Sequence, residues 1–234
     1  MTLPAIEIPV YEVKLSVLNK TVKYRPYTVK EEKTLLMAVE SQDEKQIFET
    51  SLRCCDSCVL DDSVKIEDLS ILDLELLMIS IRSKSVGESV DVKVSCEECD
   101  HKLDIKVDVT KMKLKKKGKP KDTIMLDETY GVKLKLPSID SVYSSLVNKT
   151  DELTAILLAC IDFVYDNETT YSFKDYTEEE KIDFVEKMTV QNVKKINDLF
   201  IDKLPSNCVE LSVTCPSCKT ENKKTVDNLL DFFI

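Results

Sequence analysis

The chain has 234 residues, of which 43% are hydrophobic and 32% charged, a composition that fits one compound globular domain or two small ones. Its 33 basic and 43 acidic residues give a formal net charge of −10, so duplex nucleic acid is a poor default partner. Three scattered glycines exclude a glycine-rich phosphate loop, and a single histidine leaves little material for His-dependent catalysis, which argues against an enzyme.

The sequence carries no pattern of export or membrane insertion. Its start lacks the basic segment and the unbroken apolar run of a secretory signal. The longest apolar stretch, 153–165, is interrupted by Asp162 and is shorter than the ~20 residues that a bilayer span needs. We therefore expect a soluble, unexported chain whose nine cysteines are mostly reduced, so that closely spaced pairs indicate metal rather than disulfides.

The first part of the chain predicts a hairpin, three helices and a second hairpin. Alternating apolar residues predict strands over 11–17 and 21–27. Thr28 and Glu31 have the spacing of a capping box, which predicts the start of the first helix. Apolar spacing predicts a second helix through 47–55 and a third over about 70–82. The period then changes to two on both sides of Cys96-Glu97-Glu98-Cys99, which predicts a hairpin with this CxxC at its tip.

A lysine-rich segment follows between Lys111 and Lys121. Seven of its eleven residues are lysine, Gly118 and Pro120 lie among them, and no apolar period is present. We interpret 111–121 as an exposed connector. The alternative is a basic strip that binds an anionic partner.

The second part of the chain repeats the order of the first. A strand is predicted over 130–136, a buried helix over 153–163, and a further helix at a second capping box, Thr177 with Glu180. Another helix runs through 193–200 before Pro205, and an alternating strand then leads to Cys215-Pro216-Ser217-Cys218.

This shared order indicates a diverged internal duplication. We predict an α+β fold of two pseudo-repeated halves, each with strands and helices and each ending in a CxxC hairpin. The predicted boundaries are 1–110 for the first half, 111–121 for the connector and 122–234 for the second half.

The two CxxC motifs predict one zinc site. Zinc binds four thiolates in a tetrahedron, and a CxxC turn supplies two of them. Cys96, Cys99, Cys215 and Cys218 together make a complete, zinc-ribbon-like ligand set that joins the two halves. Two alternatives stay open: uncoordinated reduced turns, and disulfides within the pairs. A thioredoxin-like role is disfavoured because that motif starts a helix, whereas each pair here lies between alternating strands.

The remaining cysteines are interpreted as core or helix-end thiols. They are Cys54, Cys55, Cys58, Cys160 and Cys208. A second ion held by Cys54 and Cys58 is the alternative, although Cys208 is the sole further thiol left for it. His101 is close enough to Cys99 to replace a ligand, but a solvated loop histidine is the simpler interpretation. The apolar end, 229–234, is expected to dock on its own core or to insert into another subunit.

A family resemblance rests on the passage Val22–Ala38 and the Cys96/Cys99 pair. In that passage Tyr24-Arg25-Pro26 runs into Glu31-Glu32-Lys33 and a leucine-rich helix. It resembles the baseplate hub assembly protein family of T-even-like contractile-tailed bacteriophages, over about the first 110 residues; the second half matches only in order and in its CxxC. Arg25 and 31–33 match the family motif, and they equally fit a strand end and a helix cap.

The resemblance implies a non-enzymatic virion structural protein or assembly factor that builds the baseplate hub through contacts with other hub and tail proteins. It implies assembly in the host cytoplasm and a place in the tail baseplate if the protein is retained. We expect no catalytic residue, no small-molecule substrate, no nucleic acid and no membrane partner. The alternatives are a zinc-ribbon nucleic-acid-binding adaptor and, third, a thiol oxidoreductase.

Overall fold

A computed structural model describes residues 6–139, 141, 143 and 151–226. These residues belong to two compact units, the first drawn from 1–66, 72–115 and 207–234, the second from 67–71 and 116–206. Helices and sheets occur in both, so the predicted α+β class is confirmed. Both CxxC motifs belong to the first unit, because the chain returns to it at residue 207. The predicted halves 1–110 and 122–234 and their duplication stay predictions.

The first unit begins with the predicted hairpin. Strands β1 (Tyr11–Lys14) and β2 (Thr21–Tyr24) pair antiparallel and are shorter than predicted. The side chain of Asp73, which is 1% exposed, binds the turn between these two strands. Its carboxylate accepts hydrogen bonds from the backbone amides of Val17 at 2.9 Å and Leu18 at 2.7 Å. A buried carboxylate therefore satisfies two amides that the hairpin leaves unpaired.

Helix α1 (Val29–Glu40) starts at the predicted capping box. The Glu31 carboxylate accepts from the Thr28 backbone amide at 2.7 Å and from Arg25 Nη2 at 2.8 Å. Partial burial opposes ionisation, but the hydrogen bonds from Arg25 and Thr28 outweigh it and lower the pKa of Glu31 to about 2. Thus Arg25 and Glu31, both within the family-like passage, fix the junction between strand β2 and helix α1.

Two further helices complete the helical part of this unit. Helix α2 (Glu44–Cys58) begins at Asp43, whose side chain accepts from the Gln46 amide. Helix α3 (Ile71–Ser85) is rich in apolar residues and is buried on several sides. Asn207 donates to the Leu72 carbonyl and to Glu75 Oε2, both at 2.8 Å, so it ties the returning chain to the start of α3.

Two further hairpins lie in the first unit. Strands β3 (Ser89–Ser95) and β4 (Lys102–Asp108) pair antiparallel, and β10 (Ser206–Thr214) pairs with β11 (Glu221–Val226). Their inward residues share one core with Ile79 of α3. That core comprises Ile79, Val90, Cys96, Leu103, Ile105, Val107, Val109, Val209, Cys215 and Val226.

Part of the segment 111–121, which is predicted to be an exposed connector, forms a strand. Strand β5 (Lys113–Lys115) lies at one edge of a three-stranded sheet of order β11-β10-β5. Its lysines are exposed and Leu114 is half-buried. A strand of three residues is too short to show an alternating apolar pattern in the sequence. Backbone pairing with β10 and the single apolar side chain of Leu114 support it.

The second unit contains a four-stranded antiparallel sheet of order β6-β7-β8-β9. The strands are β6 (Thr123–Met125), β7 (Gly131–Leu134), β8 (Ile161–Tyr165) and β9 (Thr170–Ser172). The helices are α4 (Glu152–Cys160), α5 (Glu178–Glu186) and α6 (Val190–Leu199). They pack with the sheet around a core that includes Ile124, Leu157 and Ile196.

The second unit confirms one sequence prediction and corrects another. The capping box of Thr177 and Glu180 is present and starts α5, as predicted. The predicted helix over 153–163 ends at Cys160, and residues from Ile161 onward form β8. This segment is β-branched and aromatic, and it pairs with strands on both sides, which favours extended backbone over helix. The apolar segment 229–234 lies outside the described residues.

No helix among the described residues combines the length and apolar character needed to cross a membrane.

Candidate metal centre

Each CxxC motif forms the turn of an antiparallel hairpin. In the first CxxC turn, residues 96–101, the Cys96 amide donates to the His101 carbonyl at 2.9 Å. The Asp100 amide donates to the Cys96 carbonyl at 3.1 Å, and Asp100 has a φ of 54°. Asp and Asn tolerate this left-handed conformation better than most side chains. The turn bends the backbone tightly and places both thiols on one side.

The second CxxC turn, residues 215–220, has the same backbone pattern. The Cys215 amide donates to the Thr220 carbonyl at 2.9 Å, and the Lys219 amide donates to the Cys215 carbonyl at 3.0 Å. Lys219 has a φ of 64°, at the position equivalent to Asp100. The two turns therefore present their cysteines through equivalent backbone geometry.

The structure brings the four predicted sulfur atoms together. We call Cys96, Cys99, Cys215 and Cys218 the thiol cluster; their Sγ atoms all lie within 4.8 Å of one another. Cys96 Sγ lies 3.6 Å from Cys218 Sγ, and Cys99 Sγ lies 3.7 Å from Cys215 Sγ. A tetrahedron with zinc–sulfur bonds of about 2.3 Å has sulfur atoms roughly 3.8 Å apart. The cluster could therefore hold a metal ion.

The four cysteines of the thiol cluster differ in their exposure to solvent. Cys96 and Cys215 are buried, Cys218 is half-buried and Cys99 is exposed. All nine cysteines are free thiols, so neither CxxC pair forms a disulfide in this structure. Cys96 and Cys215 belong to the hairpin core, which fixes the positions of their sulfur atoms, and Cys99 lies on the solvent-exposed side of the cluster.

Hydrogen bonds shift the proton affinities of the cluster in opposite directions. The backbone amides of Glu98 and Cys99 outweigh the effect of burial and lower the pKa of Cys96 to about 6. Hydrogen bonds at Thr220 likewise lower the pKa of Cys218. A backbone hydrogen bond at His101 favours the Cys99 thiolate, but hydrogen bonding with Cys218 and burial raise the pKa of Cys99 to about 12.

Asn222 is the neighbour of the cluster that sequence reasoning missed. It lies on β11, is 1% exposed and contacts both CxxC turns. Its Oδ1 accepts from the Glu97 amide at 2.9 Å, and its Nδ2 lies 3.4 Å from Cys96 Sγ and 3.1 Å from the Thr220 carbonyl. The sequence around Asn222 gives no signal for this role, because its contacts with Glu97 and Cys96 form only when the two hairpins lie together.

A surface ion pair also crosses between the two hairpins. Lys224 Nζ lies 2.8 Å from Glu97 Oε1. The Glu97 carboxylate is well exposed, so this pair contributes little stability by itself.

The other predicted candidates are not members of the thiol cluster. His101 contributes its backbone carbonyl to the first turn, and its side chain is exposed and is not one of the clustered ligand atoms. Cys54, Cys55 and Cys58 are buried in the last turns of α2. Among the described residues they form no metal-capable group.

The environments of the buried thiols fit core positions. Burial raises the pKa of Cys55, and burial also raises the pKa of Cys160 to about 12. Hydrogen bonding with Cys58, together with burial, raises the pKa of Cys54. Cys58 differs, because hydrogen bonding with Cys54 lowers the pKa of its thiol. Buried thiols whose pKa is raised stay neutral and behave as small apolar side chains. Thus four cysteines form the thiol cluster, and the other five are buried outside it.

Comparison with known proteins gives one positive result. No curated protein and no solved structure matches the chain significantly. Residues 8–234 match the model of a family described as T4 bacteriophage base plate protein. The match spans nearly the whole chain and includes both CxxC turns, Asn222 and both compact units. The chain therefore belongs to the T4 bacteriophage base plate protein family.

Proposed function

We propose that this protein is a non-enzymatic component or assembly factor of the phage baseplate hub, and that one Zn²⁺ ion held by the thiol cluster joins its two CxxC hairpins. Membership of a base plate family supports a structural role in the phage tail with contacts to other tail proteins. The assignment to the hub rests on the resemblance of Val22–Ala38 to hub assembly proteins.

The proposal that the protein is not an enzyme rests on residue chemistry. One histidine and three scattered glycines offer few means for proton shuttling or phosphate binding. A protein that works by contact alone needs rigid surfaces rather than reactive groups.

The observation that carries the metal proposal is the convergence of four thiols from two distant stretches of chain. Four sulfur ligands in a closed arrangement favour zinc over magnesium or calcium, which prefer oxygen. The residues would hold the ion as thiolates, and the ion would supply a cross-link and no reaction. Holding roughly 120 residues in a closed loop costs about 5 kcal/mol of chain entropy. Structural zinc sites in small fingers provide an apparent ~10–16 kcal/mol, so the ion can offset that cost.

The equivalent turns also support the proposed duplication. Both have the same two backbone hydrogen bonds and a left-handed residue at the same position, Asp100 and Lys219. A duplicated hairpin would give this correspondence directly. The proposal that 1–110 and 122–234 are related halves rests on it and on the order of elements that the sequence predicts.

Co-expression tests the structural role. The full chain is produced with each of the other hub and tail proteins of its phage in turn, and complexes are separated by size with mass measurement. We expect a stable complex of defined stoichiometry with at least one hub protein. A chain that stays monomeric with every hub protein would contradict the hub assignment.

Mass spectrometry of purified virions tests where the protein acts. We propose that it assembles in the host cytoplasm and joins the tail baseplate. A constant copy number per tail supports retention, whereas absence from virions but presence in baseplate intermediates supports an assembly factor. Absence from both would contradict the proposal.

A zinc-ribbon nucleic-acid-binding adaptor is the second candidate. The exposed lysines between 111 and 121 favour it, because phosphate binding needs accessible basic side chains. The net charge of −10 opposes it. Filter binding with single- and double-stranded DNA and RNA decides: retention that falls steeply with salt supports the adaptor, and no retention at low salt excludes it.

A further inference from the structure

We propose that Asn222 is a positioning residue of the thiol cluster, which holds the two CxxC turns together and sets the affinity of the cluster for its metal ion through a hydrogen bond to sulfur. This inference rests on the metal site of the proposed function and concerns a residue that is not itself a ligand.

The orientation of the Asn222 carboxamide follows from its partners. The Glu97 backbone amide can only donate, so the oxygen of Asn222 must face it, at 2.9 Å. The NH2 group then faces Cys96 Sγ at 3.4 Å and the Thr220 carbonyl at 3.1 Å. The amide oxygen thus accepts from an N–H donor, and the amide nitrogen donates to two acceptors.

These bonds connect the two turns. Glu97 and Cys96 belong to the first CxxC turn, and Thr220 belongs to the second. Asn222 itself lies on β11, opposite Val213 of β10, and is almost fully enclosed. One buried side chain therefore fixes the distance between the turns, and with it the separation of sulfurs that come from different hairpins.

The bond to sulfur also affects the charge at the site. Four thiolates around a divalent ion leave an excess of negative charge, and an N–H donor to sulfur stabilises it. Because Asn222 is shielded from water, its hydrogen bond is stronger than it would be on the surface. Nearby Lys224 pairs with the Glu97 carboxylate at 2.8 Å. Among described side chains, Asn222 is the buried amide that donates to the cluster.

The test compares two substitutions of Asn222 with a matched control. Asn222→Ala removes all three bonds. Asn222→Asp keeps the size and an acceptor for the Glu97 amide but places a carboxylate oxygen near Cys96 Sγ. Asn207→Ala is the control, since Asn207 is a buried asparagine in the same compact unit that donates to Leu72 and Glu75.

The full-length protein and its variants are titrated with Co²⁺, followed by competition with Zn²⁺ and a chelator. The thiolate-to-cobalt charge-transfer band reports the electron density at sulfur. We expect Asn222→Ala to weaken binding roughly 10–100-fold and to move the band to lower energy. Asn222→Asp should weaken binding further. Asn207→Ala should lower the melting temperature yet leave affinity and band position unchanged.

Two results would overturn the inference while leaving the metal site intact. In the first, both Asn222 variants bind as tightly as the parent with an unmoved band. In the second, Asn207→Ala changes affinity and band as much as Asn222→Ala does, which would show a general loss of structure. If the unmodified protein binds neither Co²⁺ nor Zn²⁺ at one ion per chain, the metal site itself fails, and the inference fails with it.

Discussion

Replacing Cys215 by serine should release the metal ion and loosen both hairpins. Cys215 is completely buried, and its sulfur lies 3.7 Å from that of Cys99, on the other hairpin. A serine hydroxyl is smaller, binds zinc poorly and does not ionise near neutral pH. The substitution therefore removes one of the four proposed ligands.

The size of the effect follows from binding of the ion to the folded state alone. Binding by an ion present at a thousandfold excess over its dissociation constant stabilises the folded state by about 4 kcal/mol. For a chain of this length, each kcal/mol shifts the melting temperature by roughly 2–4 °C. We expect Cys215→Ser to melt about 8–16 °C below the parent protein.

Cys208→Ser is the matched control for this prediction. Cys208 is also buried on β10 but lies outside the thiol cluster, so its replacement should cost only a few degrees and leave the metal content unchanged. Metal content is measured by native mass spectrometry, and hydrogen exchange follows residues 89–108 and 206–226. Full metal content with unchanged melting in Cys215→Ser would refute the site. Equal losses in both variants would show that core packing, and not the metal, is responsible.

Three further predictions concern positions outside the cluster. Asp73→Ala leaves two backbone amides of the β1–β2 turn without their acceptor and should lower the free energy of unfolding, measured by chemical denaturation, by roughly 2–4 kcal/mol. An unchanged free energy of unfolding would mean that water replaces the carboxylate. The pKa of Glu31 falls from 4.5 to about 2 on folding, so the stabilisation by its carboxylate is complete above pH 4.5 and is lost as the pH falls towards 2. The difference in melting temperature between the parent protein and Glu31→Gln should therefore shrink over that range, and a constant difference would contradict this. At Gly131 an added Cβ would overlap the ring of Tyr165, so Gly131→Ala should lower the free energy of unfolding by roughly 1–3 kcal/mol, and combining it with Tyr165→Thr should recover part of the loss.

Local chemistry explains which features the sequence predicts well. The capping boxes at Thr28 and Thr177 involve residues three apart, so their pattern is legible without knowledge of the fold. The thiol cluster is predictable because two CxxC motifs in a chain with reduced cysteines have few other uses, and the structure brings all four sulfurs together.

Features that depend on distant pairing are harder to predict. The apolar run after Leu153 fits either a helix or a buried strand, and only its pairing with β7 and β9 makes residues 161–165 extended. Strand β5 exists because β10 offers it an edge. Asn222 contacts Glu97 only once the two hairpins are placed together, so its own sequence neighbourhood contains no sign of that contact.

Anomalous scattering at the zinc absorption edge, from crystals of protein purified without chelators, would show directly whether an ion joins the two CxxC turns. We expect a single strong peak at the centre of the four sulfurs, equally distant from the first and the second CxxC turn. Well-ordered turns with no peak between them, or with a disulfide bridging any of the four cysteines, would contradict it.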